Sequence, residues 1–221
     1  MLLRNELKFI AVWPLNYQIP EIIKLNPGLF SEIYNSRFIN NIYFDSLDFK
    51  AYNDTINGVS RRKKFRIRWY GDFFGLINDP MLEMKEKEGK VVRKTSHPFP
   101  PFELKSSMNI KDILNNNSDS DCNHLINTKK PSIINRYQRK YFLSKDGRFR
   151  LTIDTNQKFS NPKNIQNPKN INQTGPPPTI IELKYDIQWE KEAIQVTNAL
   201  PFRLNKNSKY INTLKVLYDI P

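Results

Sequence analysis

The segment KFRIRWYG, Lys64–Gly71, decides how the rest of the chain is read. Alternate side chains of an extended strand point to opposite faces, so Phe65, Ile67 and Trp69 share one face. Lys64, Arg66 and Arg68 share the other, with Tyr70 at its end. The apolar face suits a core. The cationic face needs water or an anion.

The same alternation recurs along the chain. In LRNELKFI, Arg4, Glu6 and Lys8 oppose Leu3, Leu7 and Phe9. In MLEMKEK, Glu83, Lys85 and Lys87 oppose Leu82 and Met84, and in GRFRLTID, Arg148, Arg150, Thr152 and Asp154 oppose Phe149, Leu151 and Ile153. In TIIELKY, Glu182 and Lys184 oppose Ile181, Leu183 and Tyr185. INRYQRKYF is a less regular strand with Tyr137, Arg139 and Tyr141 on one face, and NNIYFD and the region of VVRKTS read as shorter strands. Helical spacing is found in SLDFKAYNDTING, where Leu47, Tyr52 and Ile56 form the apolar face, Ser46 caps and Gly58 stops. KSSMNIKDIL, WEKEAIQVTNAL and YINTLKVLY are further helices, suited to pack outside a sheet. Polar composition predicts loops near 115–130 and 156–178, the second containing the near-repeat NPKNIQ/NPKNIN and a triple proline. It reads as a connection between strands, leaving residues 1–221 as a single domain.

The chain has 221 residues, with 35 Lys+Arg against 22 Asp+Glu, a formal net charge of +13. That balance attracts polyanions: nucleic acid, acidic membranes or phosphorylated small molecules. One cysteine, Cys122, excludes an internal disulfide framework, and with only His97 and His124 as histidines it reads as a solvated thiol. His97 in SHPFPPF reads as a loop residue, and Asp45 as a helix cap or a lysine partner. No run is long enough for a membrane helix and the charged N-terminus lacks the apolar centre of a signal peptide, so the expectation is a soluble cytoplasmic protein. Seven glycines include no GxGxxG or GxxxxGK pattern, so any bound phosphate must be held by side chains.

About eight such antiparallel strands can close into a barrel, with apolar faces against outer helices and charged faces lining the lumen. Two like charges about 5 Å apart cost roughly 3 kcal/mol at an effective dielectric near 20. Several such pairs would exceed the stability of a typical domain unless anions, water or carboxylates compensate. The expected fold is therefore α+β, mainly β, a closed antiparallel barrel with helices outside. The expected ligand is a compact polyanion, with phosphate the natural partner of guanidinium and ammonium groups.

RNELKF, NIYFDSLDFKAY, RRKKFRIRWYG, LEMKEKEGKVVRK, NRYQRKYF, RFRLTID, IIELKY and NSKYI occur in this order through nearly the whole chain. As an ordered set they resemble the VTC (vacuolar transporter chaperone) domain, the polyphosphate polymerase branch of the triphosphate tunnel metalloenzymes, in the CYTH-like superfamily. The resemblance implies that Lys8, Arg66, Arg68, Lys85, Arg139 and Arg150 contact phosphate and that Ser208 and Lys209 grip the phosphate chain. It implies that Glu182 holds Mn²⁺ or Mg²⁺, a hard cation suited to carboxylate and phosphate oxygens. Glu6 and Glu83 are expected to orient neighbouring cations, and Tyr137 and Lys184 complete the substrate-binding set. Arg4-Asn5-Glu6-Leu7-Lys8 departs from the ExExK of CYTH triphosphatases and cyclases by having one glutamate.

The activity this implies is transfer of the γ-phosphoryl group of a nucleoside triphosphate, ATP above all, to polyphosphate. The rivals are a metal-dependent triphosphatase of the same fold and a non-catalytic polyphosphate sensor. A nucleic-acid groove using Trp69, Tyr70 and Tyr137 is disfavoured, because the cations are paired in parity with carboxylates rather than displayed on a surface. A membrane partner, by analogy with multi-subunit VTC complexes, stays open.

Overall fold

A computed structural model describes residues 4–12, 17–89, 91–108, 110–115, 126, 128–170, 178–205 and 207–219. Its strands are β1 (Arg4–Ala11), β2 (Ser31–Asp45), β3 (Arg61–Tyr70), β4 (Gly75–Ile77), β5 (Met81–Glu88) and β6 (Val91–Pro98). They continue with β7 (Phe102–Leu104), β8 (Lys130–Leu143), β9 (Phe149–Asn161), β10 (Asn164–Asn170), β11 (Thr179–Asp186) and β12 (Arg203–Leu204). The helices are α1 (Ile19–Lys24), α2 (Lys50–Ile56), α3 (Ile110–Asn115), α4 (Glu190–Asn198) and α5 (Lys209–Tyr218). The fold is mainly β with accessory helices, built on a large antiparallel sheet. None of the described helices is long and apolar enough to cross a membrane.

The chain divides into two compact units. The first comprises Met1–Arg37, Tyr137–Gln157 and Asn172–Asn207. Here β1 pairs with β11 and β11 with β9, so that Lys8, Glu182 and Thr152 lie side by side, as do Glu6, Lys184 and Arg150. The opposite face carries Phe9, Leu151, Ile153, Ile181 and Leu183, which pack with Ile19 and Ile23 of α1 and Ala193 and Val196 of α4.

The second unit comprises Phe38–Arg136, Lys158–Ile171 and Ser208–Pro221. Strands β2, β3, β5 and β6 are consecutive neighbours, with Tyr43, Arg66, Glu83 and Ser96 in one row and Lys64, Lys85 and Lys94 in the next. Phe65, Ile67 and Trp69 face the other way with Ile42, Phe44 and Leu82. That layer is covered by Ile110 and Ile113 of α3, with Ile77, Phe102 and Leu104 from the small β4–β7 sheet.

Several expectations need correction. Residues 156–170 are not a loop: β9 extends to Asn161 and β10 turns back along it. Gln157, Phe159, Ser160 and Ile165 are buried, so sparse apolar anchors in a polar segment suffice to pin a hairpin. Residues 171–177 lie outside the described residues. In the other predicted loop, Asn115 ends α3, Ile126 is buried and Lys130 opens β8, while Cys122 and His124 lie outside the described residues. His97 is an exposed residue of β6 opposite Leu82, because a proline at the end of an edge strand leaves the preceding ladder intact.

The helix after Asp45 begins only at Lys50, so Leu47 precedes it and is exposed, as is Ile56 at its end. Ser46 acts from further upstream, its hydroxyl accepting from the Lys50 amide at 3.0 Å. Gly58 follows the helix at φ +67, a conformation that favours glycine. NNIYFD is the end of the fifteen-residue β2, and α1 is not among the predicted helices.

Ile67, fully buried, ties the opening strand to its apolar layer. Ile67→Ala is expected to lower unfolding free energy by about 3 kcal/mol, measured by urea denaturation.

Candidate functional site

The charged faces of the two units each carry a cluster. In the second unit Glu83 is the hub: its carboxylate accepts from Arg66 Nε at 2.7 Å and contacts Arg66 Nη2 at 2.6 Å. Lys94 Nζ lies 2.6 Å and Arg68 Nη1 3.6 Å from the same carboxylate. Burial works against the charge of Glu83, but Arg66, Arg68 and Lys94 outweigh it and hold the carboxyl down at about 2. Arg68 is further held by Asn41, whose carbonyl accepts at 2.9 Å, while the Asn41 amide donates to Asn135 at 2.8 Å. Arg66 donates to the Tyr43 hydroxyl at 3.0 Å. Lys64 reaches Ser208, its ammonium 3.5 Å from the hydroxyl, so it stands within the cluster rather than beyond its end.

Positive charge prevails here. Burial would raise the Tyr43 phenol, yet Arg66, Arg68 and Lys209 bring it below its ordinary value. Lys94 is lowered by burial, with Arg68 and Arg66 adding to the effect against Glu83. Lys64, Lys85 and Lys94 stand directly opposite one another across three strands, an arrangement that like charges disfavour. Arg61 and Lys63, of the other parity, turn instead to Glu86.

In the first unit Arg139 is 9% exposed and forms a two-pronged pair with Asp154, at 2.5 Å and 2.7 Å, adding Glu182 at 3.3 Å. Burial disfavours its charge, but Tyr137, Asp154 and Glu182 more than compensate and raise it well above its ordinary value. Tyr137 is buried with its ring 5.3 Å from the Arg139 guanidinium. Glu182 also meets Lys8 and Lys184, each at 3.4 Å, and Glu6 meets the same two lysines at 3.0 Å and 3.4 Å. Burial opposes the charge of Lys8, but Glu182 and Glu6 raise its pKa. Lys8 also donates to the Asn207 carbonyl at 3.0 Å. Arg150 is exposed, level with Lys184 in the register.

The predicted residues thus fall into two groups. Glu6, Lys8, Tyr137, Arg139, Arg150, Glu182 and Lys184 share one cluster, and Arg66, Arg68, Glu83, Lys85, Ser208 and Lys209 belong to the second unit. Sequence reasoning assigned no role to Asp154, Asn41, Asn135 or Tyr43. The alternation through NNIYFD, with Asn41 and Tyr43 two apart, was the available signal for two of them. Trp69 is buried against Phe73 and Phe102, so it presents no surface for stacking a base.

A divalent cation fits this donor set in one way. Among the described residues no group of three or more His, Cys, Asp or Glu could cage a metal. Mg²⁺ and Mn²⁺, however, are commonly held by one or two carboxylates together with substrate phosphates. Glu182 and Glu6, which share Lys8 and Lys184 as neighbours, are the carboxylates that would supply that share.

An antiparallel sheet that gathers cations and their carboxylate partners on one face is the frame of both clusters. The chain belongs to the VTC domain family, whose profile matches residues 12–218. The match starts after β1, so Glu6 and Lys8 lie outside it. In fold the chain is similar to a candidate adenylate cyclase from Vibrio parahaemolyticus, at 12% identity and TM-score 0.54, covering 96% of this chain and 98% of that one. It is also similar to the protein PH1819 from Pyrococcus horikoshii, at 12% identity and TM-score 0.50, covering 97% and 98%. No curated protein matches the chain.

The depressed Glu83 carboxyl carries a pH signature. Its stabilisation is complete above its ordinary 4.5 and is lost as pH falls through about 2. The stability gap between the native chain and Glu83→Gln is expected to be on the order of 3 kcal/mol at pH 7, closing toward pH 2, in urea titrations across that range.

Proposed function

We propose that the protein is a polyphosphate polymerase-like phosphotransferase, moving the γ-phosphoryl group of a nucleoside triphosphate onto a polyphosphate chain. The observation that carries the reading is the Lys64–Lys85–Lys94 row beside Arg66 and Arg68. Three cations of this face converge on the one carboxylate of Glu83. Such a surplus is stabilised when phosphate oxygens arrive, and VTC family membership supports that ligand. Repeated cations suit a repeating anion.

In this reading Arg66, Arg68, Lys85, Ser208 and Lys209 bind and orient phosphate in the second unit, as Lys8, Arg139, Arg150 and Lys184 do in the first. Glu83, Glu6 and Asp154 hold guanidinium and ammonium groups in place, so little reorganisation is needed as charge develops on the transferring phosphoryl group. No protein nucleophile is required, since the terminal phosphate of the acceptor chain attacks the γ-phosphorus and ADP leaves. Glu182, with phosphate oxygens, would hold Mn²⁺ or Mg²⁺, which supplies charge neutralisation across the phosphates when bound.

A triphosphatase would use the same cations with water as acceptor. Incubation with ATP and Mn²⁺ is expected to yield polyphosphate on a gel. Release of inorganic phosphate without polymer would assign the triphosphatase reaction instead. Glu182→Gln is expected to lower turnover by about a hundredfold while tripolyphosphate affinity is largely kept; in a sensor neither variant nor native chain turns ATP over.

A further inference from the structure

Asp45 is a buried carboxylate that the reaction does not use, 3% exposed at the end of β2. Its Oδ1 accepts from the amides of Ser46 at 2.8 Å and Ala51 at 2.9 Å, and its Oδ2 accepts from the Tyr52 amide at 3.2 Å. These bonds anchor the start of α2. The same Oδ2 also receives the Tyr210 hydroxyl. Tyr210 belongs to the first turn of α5, directly after Ser208 and Lys209.

Tyr210 is buried and makes two further contacts that lead to the basic cluster. Its ring stacks on Tyr43 with centroids 5.2 Å apart and an interplanar angle of 29°, and the Tyr43 hydroxyl receives Arg66. The Lys64 ammonium sits 5.5 Å from the Tyr210 ring centroid. Ser208, which caps α5 by accepting from the Ile211 amide, also receives Lys64. Unlike a helix packed on the apolar layer, α5 therefore begins against the charged face of the sheet. Tyr43 shares that face with Arg66 by register.

We propose that Tyr210, latched to Asp45, is a positioning residue that sets Ser208 and Lys209 on the phosphate path. The inference rests on the reading of Ser208 and Lys209 as phosphate ligands. A helix free to slide or rotate by a fraction of a turn would carry both residues away from Arg66 and Lys64. The Tyr43 stack alone permits sliding in the ring plane, whereas a hydroxyl bonded to a fixed carboxylate does not. Asp45 is fixed because three backbone amides hold it independently of α5. One carboxylate thereby registers two helices and a strand against the cations of β3.

Tyr210→Phe keeps the ring and deletes the hydroxyl, and with it the bonds to Asp45 and to the Ser132 side chain. In calorimetric titration of the full chain with inorganic tripolyphosphate, it is expected to weaken binding about fivefold. On a Ser208→Ala/Lys209→Ala background the same change is expected to cost less than about twofold, because there is then nothing to position. Tyr218→Phe is the control, since Tyr218 docks the far end of α5 by donating to the Ser132 carbonyl at 3.0 Å. It is expected to lower the melting temperature and leave affinity unchanged. An unchanged affinity in Tyr210→Phe, an equal loss on both backgrounds, or an equal loss in Tyr218→Phe overturns the inference. If Lys209→Ala weakens binding and Tyr210→Phe does not, only the positioning role falls; if the native chain does not bind tripolyphosphate, the phosphate reading falls with it.

Discussion

The crowding of like charge on one face of an antiparallel sheet is the constraint from which the rest of the molecule follows. A lysine row formed by Lys64, Lys85 and Lys94 and an arginine pair two residues apart on β3 are costly neighbours in the absence of an anion. Part of that cost is met by Glu83, whose carboxylate lies where Arg66, Arg68 and Lys94 can all reach it. The first unit handles its cations with more carboxylates: Asp154 for Arg139, and Glu6 and Glu182 for Lys8 and Lys184. The lowered Tyr43 value reflects the Arg66, Arg68 and Lys209 charges around it.

Apolar packing on the other face keeps this arrangement standing. Along β3 and β11 the charged residues alternate with residues that bury fully, so a cation there cannot turn away from its neighbours without taking an isoleucine or a leucine out of the core. Ile67 lies between Arg66 and Arg68, and Leu183 between Glu182 and Lys184. Neutral polar residues then fix the geometry that Coulomb forces alone leave loose. Asn41 and Asn135 hold Arg68, Tyr43 holds Arg66, and Tyr137 lies against Arg139. Such preorganisation is what a binding site for a highly charged, strongly hydrated ligand requires.

Much of this was legible from alternation. Strands β1, β3, β5, β9 and β11 and the parity of their charges follow directly from period-2 patterning, because a strand with one buried face has no freedom to swap its sides. The region after Asn156 misled for a physical reason. Its composition is that of a loop, yet Phe159 and Ile165 suffice to hold a hairpin, and no local signal separates two anchored residues from two incidental ones. The helix after Asp45 misled differently, since a cap acting across several residues shifts the start of the helix and leaves Leu47 outside it.

Sequence alone determined which residues are charged, which faces they share and, through the ordered motifs, which family the chain belongs to. These are properties of residue order and of a fixed two-residue period. Only the tertiary structure decided which carboxylate neutralises which cation. It joined Asp154 to Arg139 and Asp45 to Tyr210, the latter across 165 positions of chain. It also set α5 with its first turn against the basic face rather than the apolar one. Such pairings depend on strand register and on helix docking, and both are settled by the packing of the whole rather than by any local segment.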